Sequence, residues 1–404
     1  MNTNTESLAP SLEHYPNIEK NRSMILDVLA QTGTPIFLCE RDNLVDRYRA
    51  LDDSLSAHWR RHVIGYSFKT NYLVAEAGIF QKLGGWAEVV SGREYRLAKQ
   101  LEFAGNAIIF NGPYKSDEDL QLAIADEALI NVNDHDELDR LLQLAAVHKS
   151  QVEIGLRVSA TLPRLGHSRF GFSLENGEAT SALAKIGKSP QIKLTAFHMH
   201  LYADTDDADL YRVAVDKIGQ FAQQELPDYQ RTLKWINLGG GFPANIVKPK
   251  SRESWNPQPI DAYIRAVTNA LRTYFPDDGP QPTLIVEPGR YLTSDGIILV
   301  TRVIHVKQRD AKQVVNCNGS ISMVPLTHYC PQIIRVYTNQ LVKREGGEVS
   351  SIIHGATCRE NDVLYEGQFP KTQPGDYIVH FAVGAYNSSL SPNFIFESPA
   401  MELI

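Results

Sequence analysis

The chain has 404 residues, 43% hydrophobic and 22% charged, with a formal net charge of −7. That length supports a large core and room for two domains, while the acidic balance without any basic run argues against nucleic acid as partner. No apolar run approaches the roughly 20 residues that a membrane helix needs. Met1–Pro10 is polar and lacks the basic-then-apolar order of a signal peptide, so it reads as a disordered lead-in. Cys39, Cys317, Cys330 and Cys358 are scattered, which suits neither a disulfide framework nor a zinc pair and points to a reducing, cytoplasmic compartment.

In chain order, the first strand-like segment is 35–39. Eight short apolar runs follow, at 63–69, 86–90, 107–111, 129–133, 152–159, 193–200, 234–238 and 283–287. They are rich in Val, Ile, Leu and Phe, as strands buried on both faces should be. Helical patterns lie between them. Ser91 with Glu94, Ser116 with Asp119, and Asp134 before 137–146 carry cap signals, and 209–224 has long helical spacing. Eight strands alternating with helices predict a (β/α)8 TIM-type barrel, with a doubly wound open sheet as the alternative. A barrel gathers its chemistry at the C-terminal strand ends. Lys69, Glu88, Asn111, Arg157, His200, Gly239–Gly241 and Glu287 all fall there.

After Arg290 the pattern changes to strands at 297–307, 313–318, 332–337, 348–354 and 376–382, punctuated by Pro, Gly and Asn. This predicts a C-terminal all-β domain. The expected division is an N-terminal segment 1–44, contributing a strand to the β domain, a barrel 45–290 and a β domain 291–404.

Lys69 ends a buried strand, in Tyr66-Ser-Phe-Lys69-Thr-Asn71. A partly desolvated lysine has a lowered pKa, which suits Schiff-base chemistry; alone, a surface lysine past a strand explains it as well. Gly239-Gly240-Gly241 follows the seventh strand and lets backbone N–H groups approach an anion, though a flexible turn reads the same way. Glu287-Pro-Gly289-Arg290 follows the eighth, with an acid for a pyridine nitrogen and a guanidinium for phosphate, or simply an ion pair. The three together at three strand ends are far more specific than any one. His198 and His200 form a His-x-His pair on one strand face, but no carboxylate or cysteine completes a metal site, so no metal is expected.

These motifs, with Glu88–Glu94, Asn237–Gly241, Cys358 with Asp362, and Gly384-Ala-Tyr386, resemble the fold-type III pyridoxal 5'-phosphate (PLP) decarboxylases that act on ornithine, diaminopimelate and arginine. The resemblance spans most of the chain and implies an alanine-racemase-like arrangement of barrel and β domain. It implies that Lys69 binds PLP, that Gly239, Gly240, Gly241, Gly289, Arg290 and Tyr386 surround the phosphate, and that Glu287 pairs with the pyridine nitrogen. His200 would stack on the ring, since the spacing from Asp207 to Val215 runs without a gap from His200, leaving His198 in the core. Glu88 and Arg157 match positions near the cofactor. Cys358 resembles the thiol that returns a proton after CO2 leaves. In the family it comes from the neighbouring subunit, implying a homodimer with shared sites.

The match breaks in two places. Tyr202 and Ala203 stand where the family has Gly and a Ser that helps hold the cofactor, a loss on the order of 1 kcal/mol. At the substrate end, Arg359 replaces the acid that follows the cysteine in diamino-acid decarboxylases, with Glu360 next. Val324 and His328 stand where diaminopimelate decarboxylases carry Arg and Tyr. The expected substrate is therefore a non-standard or derivatised amino acid of a specialised pathway, such as siderophore or natural-product assembly. Either Arg359 meets a distal carboxylate or acyl-linked group, or Glu360 or Asp362 takes an ammonium and Arg359 faces solvent. The rival readings are an alanine-racemase-type enzyme, which needs a tyrosine base instead of Cys358; a catalytically inactive decarboxylase-like regulator, which would tend to lose Lys69 or Cys358; and a small PLP-carrier barrel, which lacks everything after Arg290.

Overall fold

Strand β1 (Ile36–Cys39) is apolar and buried at all four positions, so it has to be covered on both faces. The computed structural model describes residues 15–148, 151–164, 166, 168–247 and 255–404; Met1–Pro10 lies outside them. Within these, β1 runs antiparallel to a long strand of the C-terminal sheet and precedes a barrel.

The barrel strands are β2 (His62–Ser67), β3 (Trp86–Val89), β4 (Ile108–Phe110), β5 (Leu129–Val132) and β6 (Val152–Ser159). A two-residue strand β7 (Phe172–Ser173) pairs only with the end of β6, and β8 (Ile192–His198), β9 (Trp235–Asn237) and β10 (Thr283–Val286) complete the ring. The order is β2-β3-β4-β5-β6-β8-β9-β10, all parallel, and β10 closes on β2. The eight apolar runs of the sequence supply these eight strands, so the closed barrel holds and the open sheet does not.

The two-residue period of a strand sorts the barrel interior into layers. Ile109, Leu129, Ala196 and Ile285 form a small apolar cluster with Val63, Trp86 and Trp235 packed against it. Two residues further along the same strands stand Glu88, Asn111, Asn131, His198, Asn237 and Glu287, all buried. An apolar plug therefore fills the N-terminal end, and the polar layer is pushed to the C-terminal end.

Three of the helices around this ring start as the sequence predicts. Ser91, Ser116 and Asp134 accept from the backbone N–H of Glu94, Asp119 and Glu137, at 3.2, 3.1 and 2.9 Å. Such caps contribute about 1 kcal/mol each. Helices Arg22–Thr32, Arg41–His58, Val74–Lys82, Glu178–Ile186 and Ile260–Tyr274 are present as well, without any side-chain cap that would announce them.

The second unit comprises β11 (Ile297–Arg309), β12 (Lys312–Cys317), β13 (Ile333–Tyr337), β14 (Val349–His354), β15 (Val363–Phe369), β16 (Tyr377–Phe381) and β17 (Ala400–Leu403). Six are ordered β13-β16-β11-β12-β14-β15, while β1 pairs with β11 on one side and, in parallel, with β17 on the other. Strands β15 and β17 were not predicted; β17 is exposed at three of its four positions and carries a Glu among its apolar residues. Among the described residues no helix is long and apolar enough to cross a membrane, and no group of three or more His, Cys, Asp or Glu is placed to hold a metal.

Candidate active site

Lys69 sits in a one-turn 3-10 helix, Phe68–Thr70, that continues β2 past the rim of the barrel. Its Nζ lies 2.5 Å from Glu88 Oε2, and Ser67 Oγ donates to the same oxygen at 2.6 Å. The turn is held from the β domain. Tyr386 N–H donates to the Thr70 carbonyl at 2.9 Å, and Asn71 Nδ2 donates to the Gly384 carbonyl at 3.0 Å. The lysine is thus fixed at the junction of the two units.

The sequence predicts a lysine with a lowered pKa, and the structure reverses that. Burial does lower it, but the charge of Glu88 with its hydrogen bond, and the neighbouring Tyr386 and Glu287, outweigh burial and raise it. Charges this close attract by several kcal/mol even at an effective dielectric of about 20. Glu88 responds in the opposite sense: burial resists ionisation, yet Lys69, Ser67 and Asn111 hold its pKa below the usual carboxylate range.

The second acid, Glu287, is buried at the end of β10. Its Oε1 accepts from Asn111 Nδ2 at 2.8 Å and Asn237 Nδ2 at 2.6 Å. Asn111 also donates to Glu88 at 3.1 Å and accepts from Asn131 at 2.8 Å. A line of amides from three strand ends, Asn131, Asn111 and Asn237, is therefore tied to two carboxylates on two others. Burial, then repulsion from Glu88, pushes Glu287 up to about 7, so near neutrality this site holds or releases a proton readily. His198 faces the other oxygen, with Nε2 3.6 Å from Glu287 Oε2, and is buried. Burial, then Arg157 and His200, keeps it neutral.

His200 lies just beyond β8. Its Nδ1 accepts the Gly240 N–H at 3.1 Å; burial, then Lys69 and Arg157, lowers its pKa to about 3. The ring is neutral, with its proton on Nε2. The glycine turn packs so tightly that a side chain at Gly240 would meet the Glu287 carbonyl at 2.3 Å, and one at Gly241 (φ +95°) the Tyr202 carbonyl at 2.1 Å. Two of the three glycine amides already have partners: Gly239 N–H on Asn237 Oδ1 at 2.8 Å, and Gly240 N–H on His200. The expected anion cradle is thus poorer in donors than three consecutive glycines suggest.

Arg290 Nε lies 2.7 Å from Asp204 Oδ1, and its guanidinium carbon is 5.1 Å from the centre of the Tyr386 ring. Lys69, His200, Gly240, Gly241, Glu287, Gly289, Arg290 and Tyr386 line one cavity with Asp204, holding about 340 Å³ and open to solvent. Arg157 ends β6 beside this layer, its guanidinium 4.5 Å from the Phe170 ring centre.

The substrate-end residues stand apart. Cys358, Arg359 and Glu360 are exposed on the loop between β14 and β15 and do not line the cavity. Arg359 Nε donates to Asn361 Oδ1 at 3.2 Å, with its guanidinium 5.8 Å from the Phe394 ring centre. His328 is exposed on the short helix Pro325–His328. Asp362, the other acid expected to take an ammonium, is engaged within the protein. It is buried, accepting from Ile321 N–H at 2.7 Å, Thr357 N–H at 3.0 Å and Thr357 Oγ1 at 2.5 Å, so its carboxylate anchors the loop. Sequence reasoning missed Ser67, Asn131 and Asp204. The first two are inward polar residues on strands otherwise apolar, which period-two counting could have flagged.

An amine, a guanidinium, a flat neutral imidazole and a buried acid around one cavity fit an aromatic aldehyde that carries a basic ring nitrogen and a phosphate. The comparisons agree. Residues 41–294 match the family model for the pyridoxal-dependent decarboxylase, pyridoxal binding domain, and 290–384 that for the pyridoxal-dependent decarboxylase, C-terminal sheet domain. A diaminopimelate decarboxylase of Haemophilus influenzae is 26% identical over 387 residues, covering 93% of this chain and 88% of that protein. One of Aquifex aeolicus is 25% identical over 413 residues, covering 98% and 92%. The diaminopimelate decarboxylase of M. jannaschii, solved with L-lysine, shares the fold with a TM-score of 0.84 at 23% identity over 94% of this chain and 89% of that one.

Proposed function

The chain belongs to the pyridoxal-dependent decarboxylases, and from that premise we propose that it removes the α-carboxylate of a derivatised or non-standard amino acid at the cavity around Lys69. It is a PLP-dependent carboxy-lyase acting on an amino acid. The observation that carries the reading is the convergence of Lys69, from the end of β2, with Glu287 and Arg290, from the end of β10, on one cavity.

Lys69 Nζ would hold the cofactor covalently, Arg290 and the glycine turn its phosphate, and Glu287 its ring nitrogen. When bound, the cofactor supplies a sink for the electron pair left by departing CO2. Glu287 keeps a proton at that ring nitrogen, aided by the two amides that fix its carboxylate. His200, neutral and locked by Gly240, offers a flat apolar face to the ring. The Cys358 thiol returns the proton to the substrate carbon. Its exposed place outside this chain's own cavity supports a homodimer in which the thiol of one subunit serves the other.

Arg359, exposed beside Cys358, supports a substrate whose far end is a carboxylate or acyl-linked group. With Asp362 committed to the loop, Glu360 is the remaining acid for a distal ammonium. The holoenzyme should release CO2 from acylated diamino acids in preference to meso-diaminopimelate. Comparable turnover of meso-diaminopimelate would overturn the substrate assignment, and D/L interconversion without CO2 release would overturn decarboxylation.

A further inference from the structure

The cavity's guanidinium is already engaged. Arg290 Nε and Asp204 Oδ1 are 2.7 Å apart, both side chains are nearly enclosed, and both line the cavity. The other cation, Lys69, is paired with Glu88. Two of the three glycine amides are bonded within the protein. A phosphate entering here meets Arg290 in competition with one carboxylate.

Asp204 is held firmly in this place. Its backbone lies in the left-handed region at φ +54°, which Asp and Asn tolerate better than most residues. The next residue fastens the loop to the glycine turn: Thr205 N–H donates to the Gly241 carbonyl at 2.9 Å, and Thr205 Oγ1 to the Tyr202 carbonyl at 3.3 Å. The backbone that presents the carboxylate is thereby tied to Gly241.

We propose that Asp204 is a built-in competitor of the cofactor phosphate for Arg290, setting how tightly the chain holds its cofactor. Like charges sharing one guanidinium repel, and the repulsion is stronger in an enclosed site than in water. The inference rests on reading the cavity as the PLP site.

The test compares apoenzyme of the wild type with Asp204→Asn and Asp204→Ala. PLP, inorganic phosphate and pyridoxal are titrated in turn, followed by absorbance for the aldehydes and by calorimetry for phosphate. Asn keeps the shape and tolerates the positive φ, so that variant should fold, which its melting curve checks. The expected result is at least about tenfold tighter PLP and phosphate binding in both variants, equivalent to about 1.4 kcal/mol, with pyridoxal affinity unchanged. PLP held at Lys69 with unchanged or weaker affinity in the variants, or an equal gain for pyridoxal, overturns the proposal alone. Wild type in which Lys69→Ala leaves PLP binding unaltered overturns the cofactor reading as well.

Discussion

Ser67 Oγ and Lys69 Nζ converge on the same oxygen of Glu88, at 2.6 and 2.5 Å, so the position of the amine and the ionisation of the acid are set together. Glu88→Gln keeps the shape and removes the charge. The Lys69 pKa should fall, because its largest raising influence is gone. Each unit of fall makes the free amine about tenfold more abundant at neutral pH. The pH profile of PLP uptake by apoenzyme, followed by absorbance, should therefore move to lower pH, and an unmoved profile would show that Glu88 does not govern this amine.

A shared site makes a quantitative prediction. Lys69→Ala and Cys358→Ala should each be inactive alone. Mixed and allowed to exchange, half the dimers pair unlike subunits and carry one intact site of two, giving about a quarter of wild-type activity. Recovery near zero would place Cys358 in the same chain's site, and activity of Cys358→Ala alone would place it outside catalysis.

Glu287 gives the apoenzyme a pH signature. Its folded pKa of about 7 stands above its ordinary 4.5, so the folded protein binds this proton more tightly than the unfolded chain. The stabilisation is complete below about 4.5 and is lost as pH rises through about 7. Glu287→Gln cannot ionise, so its stability relative to wild type should rise from pH 5 to pH 8. Urea unfolding of both apoproteins at each pH measures the difference.

Lys115 and Glu137 form a fully buried pair at 2.7 Å, and Lys115 Nζ also donates to the Gly112 and Asn131 carbonyls at 3.1 Å. Lys115→Met strands the carboxylate and should cost about 3–5 kcal/mol. Adding Glu137→Gln, which can still accept the Asn133 N–H, should recover part of that loss. The urea midpoints of the two variants decide it.

The barrel was legible because its strands bury both faces, so each reads as an apolar run, and because the inward period of two carries Glu88, Asn111, Arg157 and Glu287 to the strand ends. Period two marks Asn131 as an inward polar residue, but its partner Asn111 and the space left by Gly155, where a side chain would meet Asn131 Oδ1 at 2.0 Å, lie on neighbouring strands that no local pattern joins. The ionisation of Lys69 was misread for the same reason: its partner lies 19 residues away. Asp362 looked like a ligand by its nearness to Cys358, yet short side-chain-to-backbone bonds such as that to Thr357 are what an Asp in a turn also makes. Strand β17 has almost no signal of its own and exists through its pairing with β1.

That pairing has a consequence for biosynthesis. Strand β1 leaves the ribosome before any of the barrel, but its partners β11 and β17 are made much later, β17 about 360 residues afterwards. The barrel strands mostly pair with neighbours in sequence order; only the closing pair, β2 with β10, spans a comparable stretch. The nascent chain therefore carries an unpaired apolar strand, Ile36–Cys39, through most of its synthesis. Protection of β1 in that interval, by a chaperone or by contact with the growing barrel, becomes part of what the sequence must provide.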